Sequence, residues 1–216
     1  MTASRPLSPQ SAVRSPQSSL RLRWLRAWLS ERFPARNGVF FVVLYALVLV
    51  SSRAAVAPGP VELSWRDLLG LVALWCFFLT LRVLDEHKDF AADAVAHPDR
   101  VLQRGLITLG DLRAVGALAV AIQLAVALLL DGGLGAVTLR WLAVAGFRAL
   151  MAKEFFVRDW LRKHLVLYAV SHMLVMPLVA LWLAAIGGLT SFDTPVVGAL
   201  ALLVFCAGLS FEIARK

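Results

Sequence analysis

Five of the chain's fourteen acidic residues fall between positions 85 and 99: Asp85, Glu86, Asp89, Asp93 and Asp99. Asp85, Asp89 and Asp93 stand four residues apart, so on a continuous helix they line one face about a turn apart. Carboxylates at that spacing repel one another. They also directly follow the apolar run Leu68–Leu84, which sets them at the carboxyl end of a helix, where the macrodipole is already negative. Such a ladder calls for a bound cation. Hard oxygen ligands in this number suit Mg²⁺, which commonly sits between a couple of carboxylates and substrate phosphates. The other reading is a solvated loop in which Arg82, Lys88, Arg100 and Arg104 neutralise the acids in place.

Composition sets the elements that must position this ladder. Of 216 residues, 60% are hydrophobic and only 17% charged, and mean hydropathy is +0.76. Soluble domains are about half apolar and a quarter charged, so an ordinary soluble enzyme is excluded, as is a disordered or collagen-like chain. The apolar residues form six blocks: Val39–Ala57, Leu68–Leu84, Leu112–Leu130, Leu134–Met151, Leu165–Ile186 and Pro195–Ile213. Each is close to the roughly 20 residues a spanning helix needs. The expected fold is therefore all-α, a polytopic transmembrane helix bundle of six spans over residues 37–216. Arg53 and Arg148 lie near enough to block ends to snorkel, and Pro177 inside the fifth block predicts a kink. Cys76 and Cys206 both lie in apolar blocks and read as packing residues, without disulfide or metal spacing.

The charges alternate from loop to loop. Nineteen of 22 Lys and Arg fall in the N-terminal tail, the Arg82–Arg113 and Arg148–Lys163 segments and the C-terminus, whereas the intervening loops hold only Arg53, Arg66 and Arg140. The positive-inside rule then puts both termini and the two larger loops in the cytoplasm. Topology thus accounts for the net charge of +8, and a nucleic-acid partner is not expected. Residues 1–19 are rich in Ser, Pro and Gln and read as a disordered tail without the apolar core of a secretory signal. Residues 20–36 read as an amphipathic interfacial helix: Leu22, Leu25 and Leu29 share one face, with Arg21, Arg23, Arg26 and Arg32 over much of the remainder, so this segment contacts membrane lipid.

Two further acidic spots end helices on the cytoplasmic side. Lys153 to Asp159, with Glu154 and Arg158, follows the fourth block, and Glu212 with Arg215 and Lys216 closes the sixth. A bundle that gathers the carboxyl ends of its even-numbered spans forms one pocket mixing carboxylates with basic groups, as a metal–diphosphate site needs. Glu212 reads as a helix-end ion pair with Lys216. Glu154, Arg158 and Asp159 read as interfacial anchors, His172 as a hydrogen-bonded packing residue, and Asp111 as a cap of the third span.

The segment Asp85-Glu86-His87-Lys88-Asp89-Phe90-Ala91-Ala92-Asp93, followed by His97-Pro98-Asp99-Arg100-Val101-Leu102-Gln103-Arg104-Gly105-Leu106-Ile107-Thr108, resembles the first aspartate-rich motif of the UbiA superfamily of intramembrane prenyltransferases. That motif reads roughly NDxxDxxxD, then an (N/H)PxRPLxxGxIS-like run, after the second helix. The resemblance implies a UbiA-like bundle in a bacterial-type inner (cytoplasmic) membrane, its active site facing the cytoplasm. It further implies that Mg²⁺ bridges these aspartates to the diphosphate of an isoprenyl donor, and that an aromatic or other lipophilic acceptor takes the isoprenyl group. By the match, Asp89 and Asp93 hold metal-binding places and Asp85 the place usually held by Asn. Arg100 matches the loop arginine and contacts phosphate, assisted by Lys88 or Arg104. Glu212 occupies the place of the second motif, which is DxxxD in the family, and the resemblance thereby implies a ligand of a second metal as evenly as the helix-end ion pair. The superfamily typically has nine helices, so three more are expected from a longer chain or a partner.

Other classes fit less well. A membrane phosphotransferase with DxxxD spacing also carries an upstream Asp-Gly and Ala-Arg signature, absent here. An ion-coupled carrier places acids at mid-membrane, and a scaffold needs no such cluster. A related transferase of a non-prenyl group stays open.

Overall fold

The computed structural model describes residues 16–57, 59–191 and 195–214, with side chains from residue 20 onward. The described residues form helices: α1 (Pro16–Arg32), α2 (Asn37–Val56), α3 (Trp65–Ala96), α4 (Leu109–Asp131), α5 (Ala136–Ala152), α6 (Arg158–Lys163), α7 (Leu165–Met173), α8 (Val175–Ile186) and α9 (Pro195–Ala214). Most of the tail expected to be disordered lies outside the described residues, but α1 begins at Pro16, inside it.

Five segments are long and apolar enough to span a membrane: α2, α3, α4, the α7–α8 segment and α9. The fourth apolar block falls short of that: α5 is a 17-residue helix starting two residues later than expected. The reason is local. Gly132 ends α4 in the left-handed region at φ 69°, a conformation that suits glycine. Asp131 then accepts from the backbone N–H groups of Val137 and Thr138, at 3.3 and 2.7 Å, and so caps α5. The described residues are thus all-helical with five candidate spans. The α7–α8 segment is interrupted at Leu174, one residue beyond the Met173 carbonyl that the Pro177 ring would crowd.

Helix α8 is the hub. Trp182 and Leu183 are fully buried in it, and α2, α3, α5, α7 and α9 all pack on it. A second cluster gathers Trp28 of α1 with Val83, Val101, Leu102, Ile107 and Leu112, so α1 docks on α3, α4 and their connecting loop through Trp28. Leu22 is exposed, whereas Leu25 and Leu29 pack against the protein. The outward faces of α2 and α9 carry exposed Val39, Val43, Leu202 and Leu203, the apolar surface that lipid covers.

The three arginines at the end opposite the acid ladder have structural partners. Arg53 pairs with Asp67 at 2.6 Å. Arg66 donates to the Leu130 carbonyl at the end of α4. Arg140 donates to the carbonyls of Leu181, within α8, and of Leu189, just past it, at 2.8 and 3.0 Å.

Candidate active site

The acid ladder stands on the distal third of α3. At about 1.5 Å per residue, its 32 residues extend some 48 Å, well beyond a hydrocarbon core of about 30 Å. Asp85, Asp89 and Asp93 therefore share one continuous helix. The helix stops at His97, because Pro98 disfavours helical geometry in the residue before it. The following loop folds back: Gly105, at φ 70°, lets the Leu106 N–H reach the Val101 carbonyl at 3.2 Å, while Val101, Leu102 and Ile107 bury against Trp28. This fold-back sets Arg100 against the ladder, its Nη1 2.8 Å from Asp93 Oδ2. Arg104, on the same loop, is exposed and stays outside the site. Thr108 and Asp111 then form a reciprocal capping box that starts α4.

The ladder opens into a polar cavity of about 450 Å³ at this end of the bundle. Asp85, Lys88, Asp89, Asp93, Arg100 and Glu212 all line it, so of the residues singled out from the sequence motif only Arg104 is missing. Arg32, from the end of α1, enters from above. Its Nε donates to Glu86 Oε1 at 2.6 Å and its Nη2 to Asp93 Oδ2 at 3.3 Å. Arg82 donates to the same Glu86 oxygen at 2.7 Å. Glu86 is 1% exposed, and its Oε2 is buried without a hydrogen-bond partner among the described residues. Asp89 makes no ion pair among the described residues, whereas Asp85 lies 4.0 Å from Arg82.

The opposite wall is built by a left-handed turn. Glu154, Phe155 and Phe156 have φ of 46°, 54° and 61°, a conformation that costs a non-glycine residue on the order of 1 kcal/mol. The turn buries Glu154 to 3% exposure and brings its carboxylate within 3.1 Å of Lys88 Nζ and 3.2 Å of Arg158 Nε. Lys88 also donates to the Tyr168 hydroxyl at 2.7 Å. Below, the His172 ring stacks on Tyr168 with centroids 4.0 Å apart. Its Nδ1 donates to the Tyr168 carbonyl at 2.9 Å, which leaves the Nε2 lone pair buried without a partner among the described residues. Arg215 and Lys216, weighed as partners of Glu212, lie outside the described residues; Glu212 itself is buried.

Five bases (Arg32, Arg82, Lys88, Arg100, Arg162) and five acids (Asp85, Asp89, Asp93, Glu154, Glu212) line the cavity, with Glu86 beneath them. Among the described residues no three His, Cys, Asp or Glu side chains converge into a metal-binding group. The arrangement can hold a polyanion together with a counter-cation: guanidinium and ammonium donors for anionic oxygens, carboxylates for the cation. Sequence reasoning missed Arg32 and Tyr168 as members, placed Glu86 in the acid cluster without a role, and read Glu154 as an interfacial anchor. Arg32 meets Glu86 across 54 positions and Tyr168 meets Lys88 across 80, separations that no local pattern reports.

Comparison of the chain with protein-family models, with curated proteins and with solved structures finds no match.

Proposed function

We propose that the chain is a Mg²⁺-dependent membrane transferase that moves an isoprenyl group from an isoprenyl diphosphate to an aromatic or other lipophilic acceptor, at the cytoplasmic face of a bacterial-type inner membrane. One observation carries this reading: the aspartate ladder, Lys88 and Arg100 meet in one polar cavity at the end of an apolar bundle. An isoprenyl diphosphate is built the same way, with a polyanionic head and a hydrocarbon tail. The match of residues 85–108 to the UbiA-type motif and the excess of Lys and Arg at this end support the reading and its orientation.

The donor set is compatible with the metal. Mg²⁺ in phosphate sites takes one or two carboxylates and completes its octahedron with water and phosphate oxygens, so a preformed triad is not required. Asp85 and Asp89 face the cavity, Asp89 without an ion pair among the described residues, and Asp93 and Glu212 are further oxygen donors. When bound, Mg²⁺ would offset charge developing on the leaving diphosphate. Arg100 and Lys88 would donate to phosphate oxygens, and Arg32, absent from the motif, would join them. Asp93 would hold Arg32 and Arg100 in place for that task. The donor's C1–O bond breaks with its electron pair on the diphosphate. The apolar helices exclude water from the allylic cation until the acceptor captures it and loses a proton.

The test is transfer of label from an isoprenyl diphosphate to lipid-extractable product. Asp89→Ala and Asp93→Ala should each lower the Mg²⁺-dependent rate by about a hundredfold while the protein still inserts. Equal rates with EDTA, or in both variants, would overturn the assignment. A non-catalytic membrane protein is the second reading, favoured by the ion-pairing of Glu86, Asp93 and Glu154; it predicts no transfer under any condition.

A further inference from the structure

A second cavity, on the opposite face of α3 from the ladder, is an open-sided groove of about 390 Å³. Three helices build it, each with one stripe at spacing i, i+3, i+4, i+7: residues 80, 83, 84 and 87 of α3, residues 113, 116, 117 and 120 of α4, and residues 145, 148, 149 and 152 of α5. The stripes are mostly small and apolar, among them Gly116, Ala117, Ala145, Ala149 and Ala152. Each carries one basic side chain, and antiparallel packing brings His87, Arg113 and Arg148 to the same end, the end of the acid ladder. None of the lining residues is acidic.

Arg148 is the informative member. It is 7% exposed, makes no hydrogen bond or ion pair among the described residues, and its Nη1 is buried without a partner. An unpaired buried guanidinium is costly; the other buried arginine among the described residues, Arg140, has carbonyl partners, and the half-buried Arg32 and Arg82 have Glu86. Arg113 donates to His87 Nε2 at 3.3 Å, which leaves the rest of its fork available. A cationic mouth at the membrane interface above an apolar channel matches an anionic amphiphile. The phosphate accepts from Arg148 and Arg113, and the hydrocarbon tail lies along Ala117 and Val120.

We infer that this groove binds one anionic membrane lipid, its headgroup phosphate on Arg148 and Arg113 and one acyl chain between α3, α4 and α5. The site is separate from the polar cavity and rests only on membrane residence. Delipidated full-length protein in detergent tests it by thermal shift against phosphatidylglycerol, phosphatidylcholine of the same chains, and inorganic phosphate. Phosphatidylglycerol alone should stabilise. Arg148→Gln and Arg113→Gln should each weaken its apparent affinity about tenfold, as expected for loss of a charged hydrogen bond. Ala117→Phe, which fills the channel and keeps the charges, should abolish the shift, and Arg23→Gln, on the exposed face of α1, should not change it. Should Arg148→Gln fail to fold, the exposed Arg113 decides the matter. Equal stabilisation by phosphatidylcholine would show that no anion is read, and equal stabilisation by phosphate that no tail is read. An undiminished shift in Arg113→Gln and Ala117→Phe would place the lipid elsewhere. Any of these overturns the inference.

Discussion

Glu86 shows how the cavity floor is held at the scale of a single residue. One of its carboxylate oxygens takes hydrogen bonds from both Arg32 and Arg82, so it joins α1 to α3 electrostatically. Removing one member of a buried ion pair strands the others and costs about 3–5 kcal/mol. Arg32 and Arg82 keep 16% and 20% exposure, which favours the lower end, so Glu86→Ala should destabilise the protein by about 3 kcal/mol in a denaturation series. A loss below about 1 kcal/mol would mean that water, not Glu86, satisfies the two arginines. The ladder itself was legible because its spacing is local: four-residue periodicity on a continuous helix places Asp85, Asp89 and Asp93 together wherever the helix goes. Glu86 sits one residue off that face, and its role depends on Arg32, 54 positions away. No local pattern reports such a pairing.

At the scale of elements, α1 and the left-handed turn are the parts that sequence periodicity described least well. The alternation of Leu and Arg in α1 reads as a helix lying on lipid. The fully buried Trp28 adds a docking contact on the protein itself, and docking delivers Arg32. Trp28→Ala should therefore cost about 3–5 kcal/mol, the usual range for a buried large-to-small change, where a helix merely resting on lipid would lose almost nothing. The turn at Glu154–Phe156 was invisible for a different reason: no glycine or asparagine marks three successive positive φ angles. Phe156 is exposed, so Phe156→Gly relieves backbone strain without opening the core. It should stabilise by about 0.5–1 kcal/mol, read from the midpoint of thermal unfolding, and a destabilisation would contradict the strained turn. The shortening of α5 was likewise hidden, since hydropathy does not register that Asp131 caps the helix two residues late.

At the scale of the whole molecule, block length and loop charge made the all-helical architecture and its two unlike ends legible before any contact was known. Hydropathy could not say which ends meet around one cavity, because that follows from packing on α8. The same asymmetry predicts orientation. In a cysteine-free background, Asp99→Cys should be shielded from an impermeant maleimide applied from outside and Glu62→Cys should be labelled; the reverse pattern would invert the topology. The central claim is that the polar cavity takes a diphosphate together with a divalent cation. Its most direct test is the thermal stability of the full chain in detergent with farnesyl diphosphate, with and without Mg²⁺, against farnesol as the uncharged control. Binding at a hundredfold excess over Kd stabilises by about 2.7 kcal/mol, so a shift of several degrees is expected with diphosphate and Mg²⁺ together and in neither control. No shift, or the same shift with farnesol, would contradict the account.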